Sequence, residues 1–152
     1  MTERQMISNS PEETFELGAA LGKDLRGGEI ILLTGGLGAG KTLFTKGILS
    51  SLDFDVDEVT SPSFALVNLY RTDRFNIYHI DLWRAGNEDA AFSVGLEEII
   101  EEDNAVVIIE WAERLGGFVF HSGVYRIDLA GDGEEARTIT IRHSEQSPAA
   151  AV

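Results

Sequence analysis

A glycine-rich segment holds the residues whose types and spacing point most directly to chemistry. Residues 35–42 read Gly-Gly-Leu-Gly-Ala-Gly-Lys-Thr and match the pattern Gly-x-x-x-x-Gly-Lys-Ser/Thr at every fixed position. Glycines let a backbone fold around an anion with its N–H groups turned inward, and the following helix N-terminus adds partial positive charge. Lys41 can then reach the β- and γ-phosphates of a nucleotide, and the Thr42 hydroxyl can ligate Mg²⁺. The pattern therefore predicts a phosphate-binding loop formed by Gly36, Leu37, Gly38, Ala39, Gly40, Lys41 and Thr42.

The same glycines could instead form a dinucleotide-binding loop or a turn that binds no ligand. The dinucleotide fingerprint Gly-x-Gly-x-x-Gly needs three glycines at fixed spacing. Started at residue 35, 36 or 38, this fingerprint meets Leu37, Lys41 or Leu43 where it needs glycine. The dinucleotide fingerprint therefore fails in each register, and a glycine turn without a ligand is the remaining alternative.

Glu110 is the first candidate for the carboxylate that phosphoryl chemistry needs beside Mg²⁺. It follows residues 105–109, a wholly apolar run of the kind that forms a buried central strand. An acid at the carboxyl end of such a strand lies at the ligand-binding edge of the sheet. We therefore expect Glu110 to contact Mg²⁺ directly or through water, the alternative being an acid that only caps the strand.

Asp81 is a second candidate, because it also ends an apolar strand-like run, at residues 77–80. It can bind Mg²⁺ through water or position the water that attacks a phosphate. The alternative is a strand-end acid paired with Arg84.

The segment Thr60-Ser61-Pro62-Ser63-Phe64 follows the helix after the glycine loop by a short connection. In P-loop NTPases a switch segment at this place senses the γ-phosphate, and the hydroxyls of Thr60, Ser61 and Ser63 suit that task. They suit an ordinary turn equally well, so both interpretations stay open.

Trp111 directly follows Glu110 and either packs in the core or stacks against a ligand or partner. His79 and His121 have no partner at the spacing of metal ligands, so neither is assigned to a metal. Residues 88–102 predict an acidic helix whose charged side faces either water or a basic partner.

The elements that must position these residues alternate between helix and strand. Ser10-Pro11 predicts the start of a helix that ends at Gly27-Gly28, and a second helix follows at 41–52. Residues 29–33 and 105–109 predict central strands, whereas 64–70 with 75–80, and 124–129 with 137–142, predict hairpins. We predict an α/β fold: a P-loop NTPase-like mixed sheet with a parallel centre, helices on both faces and antiparallel hairpins.

Length and composition set the limits of this domain. The chain has 152 residues, which suits one domain over 10–143, with flexible ends at 1–9 and 144–152. The 26 acidic and 12 basic residues give a net charge of −14, which repels nucleic-acid phosphates and anionic lipids. Cysteine is absent, which excludes thiolate metal sites and thiol nucleophiles. No signal core or membrane-spanning run is present, so we expect a cytoplasmic protein that does not bind membranes. We also expect the protein to be monomeric alone and, because of its acidic charge, not to bind DNA.

Four segments together resemble one family of small ATPases. They are the glycine loop at 35–42, Thr-Ser-Pro-Ser-Phe-Ala-Leu-Val at 60–67, Tyr-His-Ile-Asp-Leu-Trp-Arg at 78–84 and Ile-Glu-Trp-Ala-Glu at 109–113. In this combination the chain resembles the TsaE (YjeE) family, the bacterial P-loop ATPases of tRNA threonylcarbamoyladenosine synthesis. The resemblance covers residues 10 to about 142. Ser63 and Trp83 replace the threonine and tyrosine that the family often has there, and both keep the hydroxyl or the aromatic ring.

The resemblance implies a Mg²⁺-dependent ATPase that works with TsaD-like and TsaB-like proteins, which transfer threonylcarbamoyl to adenosine 37 of tRNA. The ATPase would reset that complex between rounds and meet tRNA only through it. By the same resemblance Thr42 and Glu110 bind Mg²⁺, while Lys41, Asp81 and Trp111 serve hydrolysis. ATP contacts would include Ser10, Gly36, Leu37, Gly38, Ala39, Gly40, Lys41, Thr42, Thr60, Ser61, Ser63 and Gly133.

Three further classes of nucleotide-binding protein remain alternatives. A small-molecule kinase usually needs several arginines and a lid over its acceptor, and this chain is poor in both. A GTP switch would carry Asn-Lys-x-Asp, which is missing. A passive binder would hold nucleotide without turnover. Arg71, Arg74, Arg84 and Arg114 form no lid-like pattern, so we expect slow turnover alone and faster turnover with partners.

Overall fold

A seven-stranded sheet organises the chain. The computed structural model describes residues 2–36, 38–60, 67–82, 95–102, 104–115, 120, 123–131 and 133–144. The strands are β1 (Thr2–Ser8), β2 (Ile30–Thr34), β3 (Val67–Arg71), β4 (Asn76–Asp81), β5 (Ala105–Glu110), β6 (Val124–Ala130) and β7 (Arg137–Ser144). The helices are α1 (Pro11–Lys23), α2 (Lys41–Ser50) and α3 (Leu96–Ile100), with 3-10 turns at Val56–Glu58 and Ala112–Leu115.

The strand order is β1-β7-β6-β2-β5-β4-β3, with a parallel centre of β6, β2, β5 and β4. Antiparallel pairs flank this centre: β3 with β4, β6 with β7, and β1 with β7. Every residue of β5 is buried, as expected for a strand covered on both faces. The predicted mixed α/β sheet and both predicted hairpins are confirmed, although residues 64–66 lie outside the described part.

The predicted flexible N-terminus is wrong. Residues 2–8 form β1, which pairs along its whole length with β7. Five of its seven side chains are exposed, so the segment has no apolar pattern, yet its backbone supplies the partners that β7 needs. The sheet therefore includes residues 2–8, which precede the predicted start of the domain at residue 10. At the other end β7 includes Ser144, and the rest of the predicted tail, 145–152, lies outside the described residues.

The helices lie on both faces of the sheet. Helices α1 and α2 cover one face with a core that includes Leu21, Phe44 and Ile48, and α3 packs on the other face around Leu96. The predicted acidic helix at 88–102 is described only from residue 95, and its helical part is α3. Among the described residues, no helix has the length and apolar character needed to cross a membrane.

Helices α1 and α2 pack closely because glycines lie at their crossing. A Cβ atom added at Gly18 would lie 2.2 Å from the carbonyl oxygen of Phe44, and one added at Gly47 would lie 2.1 Å from that of Phe15. The close packing holds α2 against the sheet, and with it the glycine loop from which α2 starts.

Candidate functional site

The glycine loop joins the end of β2 to the start of α2, as its pattern predicts. Gly40 precedes the helix with φ near 109°, a backbone region that a side chain disfavours. Its carbonyl oxygen accepts the first helical hydrogen bond, from the backbone N–H of Phe44 at 2.9 Å. Ala39 is buried, whereas Gly36 and Gly38 are exposed, and Leu37 lies outside the described residues. The loop thus presents exposed backbone at a helix N-terminus, where anions bind.

Lys41 lies across the inside of this loop. Its Nζ donates to the carbonyl oxygens of Gly35 at 2.6 Å and Gly36 at 2.8 Å, and stands 4.0 Å from the centre of the Trp111 ring. Burial lowers the pKa of the Lys41 ammonium below its usual value, while Glu110, Glu113 and Asp81 oppose that shift. The ammonium is therefore held between carbonyl oxygens, an aromatic face and nearby carboxylates.

Thr42 and Glu110 come together from different elements. The Thr42 hydroxyl lies 3.3 Å from each carboxylate oxygen of Glu110, which ends β5 and is buried. A hydroxyl and a carboxylate that converge at a phosphate-binding loop form the hard oxygen set that Mg²⁺ prefers. These two residues therefore fit Mg²⁺.

Asp81 lies beside Glu110. The two residues are register partners at the ends of the parallel strands β4 and β5, so their side chains share one face of the sheet. Asp81 is 4% exposed, and its carboxylate acts on the pKa of Lys41. The sheet thus brings both predicted carboxylates to the loop edge. Arg84, the alternative partner for Asp81, lies outside the described residues.

His79 is a site residue that the sequence analysis missed. Its Nε2 bonds to Oε2 of Glu110, and its Nδ1 lies 3.2 Å from the hydroxyl of Tyr70. The ring is fully buried. Strand alternation from Asp81 could have indicated it, because residues 79 and 81 share a face.

Trp111 has left-handed backbone geometry, with φ near 61°, which is rare for a residue with a large side chain. This turn directs the ring towards Lys41 while other parts of it pack against the core beside α3. The predicted packing is present, and the ring also contacts Lys41, whereas stacking against a ligand or partner stays a prediction.

The predicted switch segment is described only at Thr60. This residue is exposed, and its backbone N–H and carbonyl oxygen both contact the Tyr70 hydroxyl, at 3.3 and 3.1 Å. Ser61 and Ser63 lie outside the described residues, so the choice between switch and turn stays open.

A cavity of about 330 Å³ adjoins the other side of the loop. Ser10, which also caps α1 by accepting from the N–H of Glu13 at 3.1 Å, lines it together with Gly133. Arg137, which the sequence analysis missed, closes one wall. Its guanidinium donates to the carbonyl oxygens of Gly38 at 3.0 Å, Ala39 at 3.2 Å and Gly133 at 3.0 Å. The cavity is therefore continuous with the loop and brings Ser10 and Gly133 to it.

Comparison with known proteins gives a consistent result. Residues 8–141 match the family described as "Threonylcarbamoyl adenosine biosynthesis protein TsaE". The "tRNA threonylcarbamoyladenosine biosynthesis protein TsaE" of Rickettsia felis is 37% identical over 108 residues, 71% of this chain and 62% of that protein. Proteins of the same name from Rickettsia bellii (37% over 113 residues, 74% and 77%) and Nostoc sp. (41% over 107 residues, 68% and 65%) also match. The chain thus spans less than two thirds of the Rickettsia felis and Nostoc relatives.

Among solved structures, the crystal structure of YdiB from Bacillus subtilis superposes with a TM-score of 0.74 at 25% sequence identity. The superposition covers 99% of this chain and 90% of that one.

Proposed function

Because the chain belongs to the TsaE family of threonylcarbamoyl adenosine biosynthesis proteins, we propose that it supports tRNA threonylcarbamoyladenosine formation by Mg²⁺-dependent ATP hydrolysis. The observation that carries the ATPase proposal is the convergence of Lys41, Thr42, Asp81 and Glu110 at one edge of the sheet. A binding loop needs only Lys41 and the backbone, whereas two buried carboxylates beside it add what hydrolysis requires.

Each side chain has a defined task in this proposal. The loop N–H groups and Lys41 hold the phosphates, for which Lys41 exchanges the carbonyl oxygens of Gly35 and Gly36 for phosphate oxygens. Thr42 and Glu110 would hold Mg²⁺, which when bound neutralises charge that develops on the phosphates. Asp81 or Glu110 orients the attacking water. The oxygen of this water bonds to the γ-phosphorus, the bond from the γ-phosphorus to the bridging oxygen breaks, and ADP, phosphate and the proton lost by the water leave.

The base and ribose would occupy the cavity of about 330 Å³ lined by Ser10 and Gly133. This cavity adjoins Gly38 and Ala39, so a nucleotide whose phosphates lie in the loop can extend its base there. Arg137 lines this cavity and fixes its wall by hydrogen bonds to the carbonyl oxygens of Gly38 and Gly133.

Partner dependence follows from the charges around the loop. Three carboxylates, Asp81, Glu110 and Glu113, act on Lys41. Arg74, by contrast, donates to the carbonyl oxygen of Leu25, near the opposite edge of the sheet. We propose that a TsaB-like and TsaD-like pair supplies further positive charge in trans, as activating proteins do for other P-loop enzymes.

The test is phosphate release from Mg-ATP by the chain alone, and then with a TsaB–TsaD pair and tRNA. We expect slow release alone, strong stimulation by the pair, and tRNA modification beyond one round. Glu110→Gln should lower turnover at least about 100-fold with ATP binding partly kept, whereas Lys41→Ala should damage both.

Two results would contradict the proposal. Equal rates with and without a competent pair would remove the partner role. A phosphorylated metabolite in place of free phosphate would make the chain a small-molecule kinase.

A further inference from the structure

A line of hydrogen bonds runs from buried Glu110 to exposed Thr60 through two buried side chains that the proposed mechanism does not use. Glu110 bonds to His79 Nε2, His79 Nδ1 lies 3.2 Å from the Tyr70 hydroxyl, and that hydroxyl lies 3.1 Å from the carbonyl oxygen of Thr60. His79 is fully buried and Tyr70 is 5% exposed. The line therefore joins the buried candidate metal ligand to the first residue of the candidate switch segment, which is exposed.

His79 fixes the orientation of the Glu110 carboxylate. A carboxylate only accepts hydrogen bonds, so His79 Nε2 carries the hydrogen that it donates to Oε2. With Oε2 held in this way, the Thr42 hydroxyl lies at 3.3 Å from both carboxylate oxygens. Partners of this kind orient metal ligands, and their loss typically weakens metal binding or activity.

The Tyr70 hydroxyl has one hydrogen and two acceptors. Its oxygen receives hydrogen bonds from Asn68 Nδ2 at 3.2 Å and from the backbone N–H of Thr60 at 3.3 Å, which occupy its two lone pairs. It can therefore meet His79 Nδ1 only as a donor, so His79 Nδ1 and the Thr60 carbonyl oxygen compete for its single hydrogen. A shift of Thr60 would therefore change the strength of the hydrogen bond from the Tyr70 hydroxyl to His79 Nδ1.

We propose that His79 and Tyr70 are positioning residues that hold the Glu110 carboxylate and couple its orientation to the position of Thr60. The inference rests on the proposed function for the role it gives Glu110. In this proposal Tyr70 acts through its contact with His79.

Tyr78 provides a matched control. It lies on β4 beside His79 but faces the opposite side of the sheet, where its hydroxyl bonds to Glu102. That contact raises the pKa of Tyr78 and lowers the pKa of Glu102, and it has no link to Glu110. Tyr78→Phe thus removes a tyrosine hydroxyl from the same hairpin, as Tyr70→Phe does, but this hydroxyl is not part of the line of hydrogen bonds.

The first measurement is steady-state ATP hydrolysis by the partner-bound chain. Tyr70→Phe should lower kcat about 10-fold and raise the Mg²⁺ concentration needed for half-maximal rate, with the KM for ATP unchanged. Tyr78→Phe should match the unaltered chain. His79→Gln, which keeps a donor, should retain more activity than His79→Leu. Unaltered kcat and Mg²⁺ dependence in a folded Tyr70→Phe variant would overturn the proposal.

Two measurements on the chain alone do not depend on hydrolysis. Mn²⁺ affinity of the ADP complex, followed by electron paramagnetic resonance, should fall about 10-fold in Tyr70→Phe and stay unchanged in Tyr78→Phe. The ¹⁵N resonance of His79 Nδ1 should move in Tyr70→Phe, and in the unaltered chain when Mg-ATP binds. If the unaltered chain hydrolyses no ATP, the proposed function fails while these two measurements still test the line. If neither Tyr70→Phe nor Mg-ATP binding shifts the His79 Nδ1 resonance, the coupling is refuted.

Discussion

Trp111 shows how one side chain can serve packing and chemistry together. Its left-handed backbone, with φ near 61°, is unfavourable for a tryptophan by about 1–3 kcal/mol, and such strain collects at functional sites. Here the strained turn directly follows Glu110 and directs the ring over Lys41, 4.0 Å from its centre. The ring keeps Lys41 close to the loop carbonyl oxygens, from which the ammonium can exchange to phosphate.

Arg137 should matter for nucleotide affinity although it follows the loop by almost 100 residues. Its guanidinium donates to the carbonyl oxygens of Gly38 and Ala39 and so holds the backbone of the glycine loop in place. We expect Arg137→Gln to weaken ATP binding about 10-fold, because hydrogen bonds from a charged donor are lost. Isothermal titration with ATP measures this.

The matched control for Arg137 is Arg142→Gln, on the same strand. Arg142 pairs with Glu3 in an exposed ion pair away from the loop, so its loss should leave ATP affinity unchanged. Equal weakening by both substitutions would mean a general effect of charge, and the loop-holding role would be wrong.

Sequence reasoning found the residues whose neighbours along the chain reveal them. Lys41 and Thr42 belong to a contiguous pattern, and Asp81 and Glu110 each end an apolar run, so strand geometry alone predicts where they lie. His79 was missed because its partner lies 31 residues away and the contact depends on the register of β4 against β5. Arg137 was missed for the same reason, since its partners are backbone atoms of a distant loop.

Among the elements, the contact between α1 and α2 determines how firmly the loop is held. Helix α2 starts inside the glycine loop, and Gly47 lets α1 approach the backbone of α2. A Cβ atom there would lie 2.1 Å from the carbonyl oxygen of Phe15 and 3.0 Å from the backbone nitrogen of Ala19. Backbone cannot move aside as a flexible side chain can, so the helices would have to separate.

We therefore expect Gly47→Ala to lower the free energy of unfolding by about 1–3 kcal/mol, despite alanine's better helix propensity. Urea unfolding followed by circular dichroism measures the change. Gly123→Ala is the control, because a Cβ atom there has no neighbour within 4 Å, and its effect should stay within about 1 kcal/mol. A Gly47→Ala variant as stable as the unaltered chain would show that the contact adapts at no cost.

The element prediction succeeded in the centre of the sheet and failed at its edge. Strands β2 and β5 consist of apolar residues because both of their faces are covered, so composition alone indicates them. Strand β1 pairs only with β7 and is largely exposed, so its side chains carry no periodic signal. Its position depends on backbone hydrogen bonds that residues 2–8 can form whatever their side chains.

Considered as a whole, the molecule combines a candidate phosphate site with a high net negative charge. The net charge of −14 opposes the approach of tRNA, which agrees with the proposal that contact with RNA comes through partner proteins. The same charge attracts a basic protein surface over a distance set by ionic strength. Exposed acids on α3, Glu97 and Glu98, and on α1, Glu12 and Glu16, are candidates for that attraction.

Salt should therefore reduce partner stimulation more than the basal rate. The Debye length falls from about 10 Å at 0.1 M to about 3 Å at 1 M, which screens attraction between separate surfaces more than contacts inside the site. We expect the ratio of stimulated to basal phosphate release to fall steadily over this range, and Glu97→Gln/Glu98→Gln to weaken that dependence. Glu12→Gln/Glu16→Gln removes the same charge from α1 and serves as the comparison. If stimulation is independent of salt, apolar contacts must dominate the partner interface; if both double variants act equally, the attraction belongs to the overall charge and not to α3.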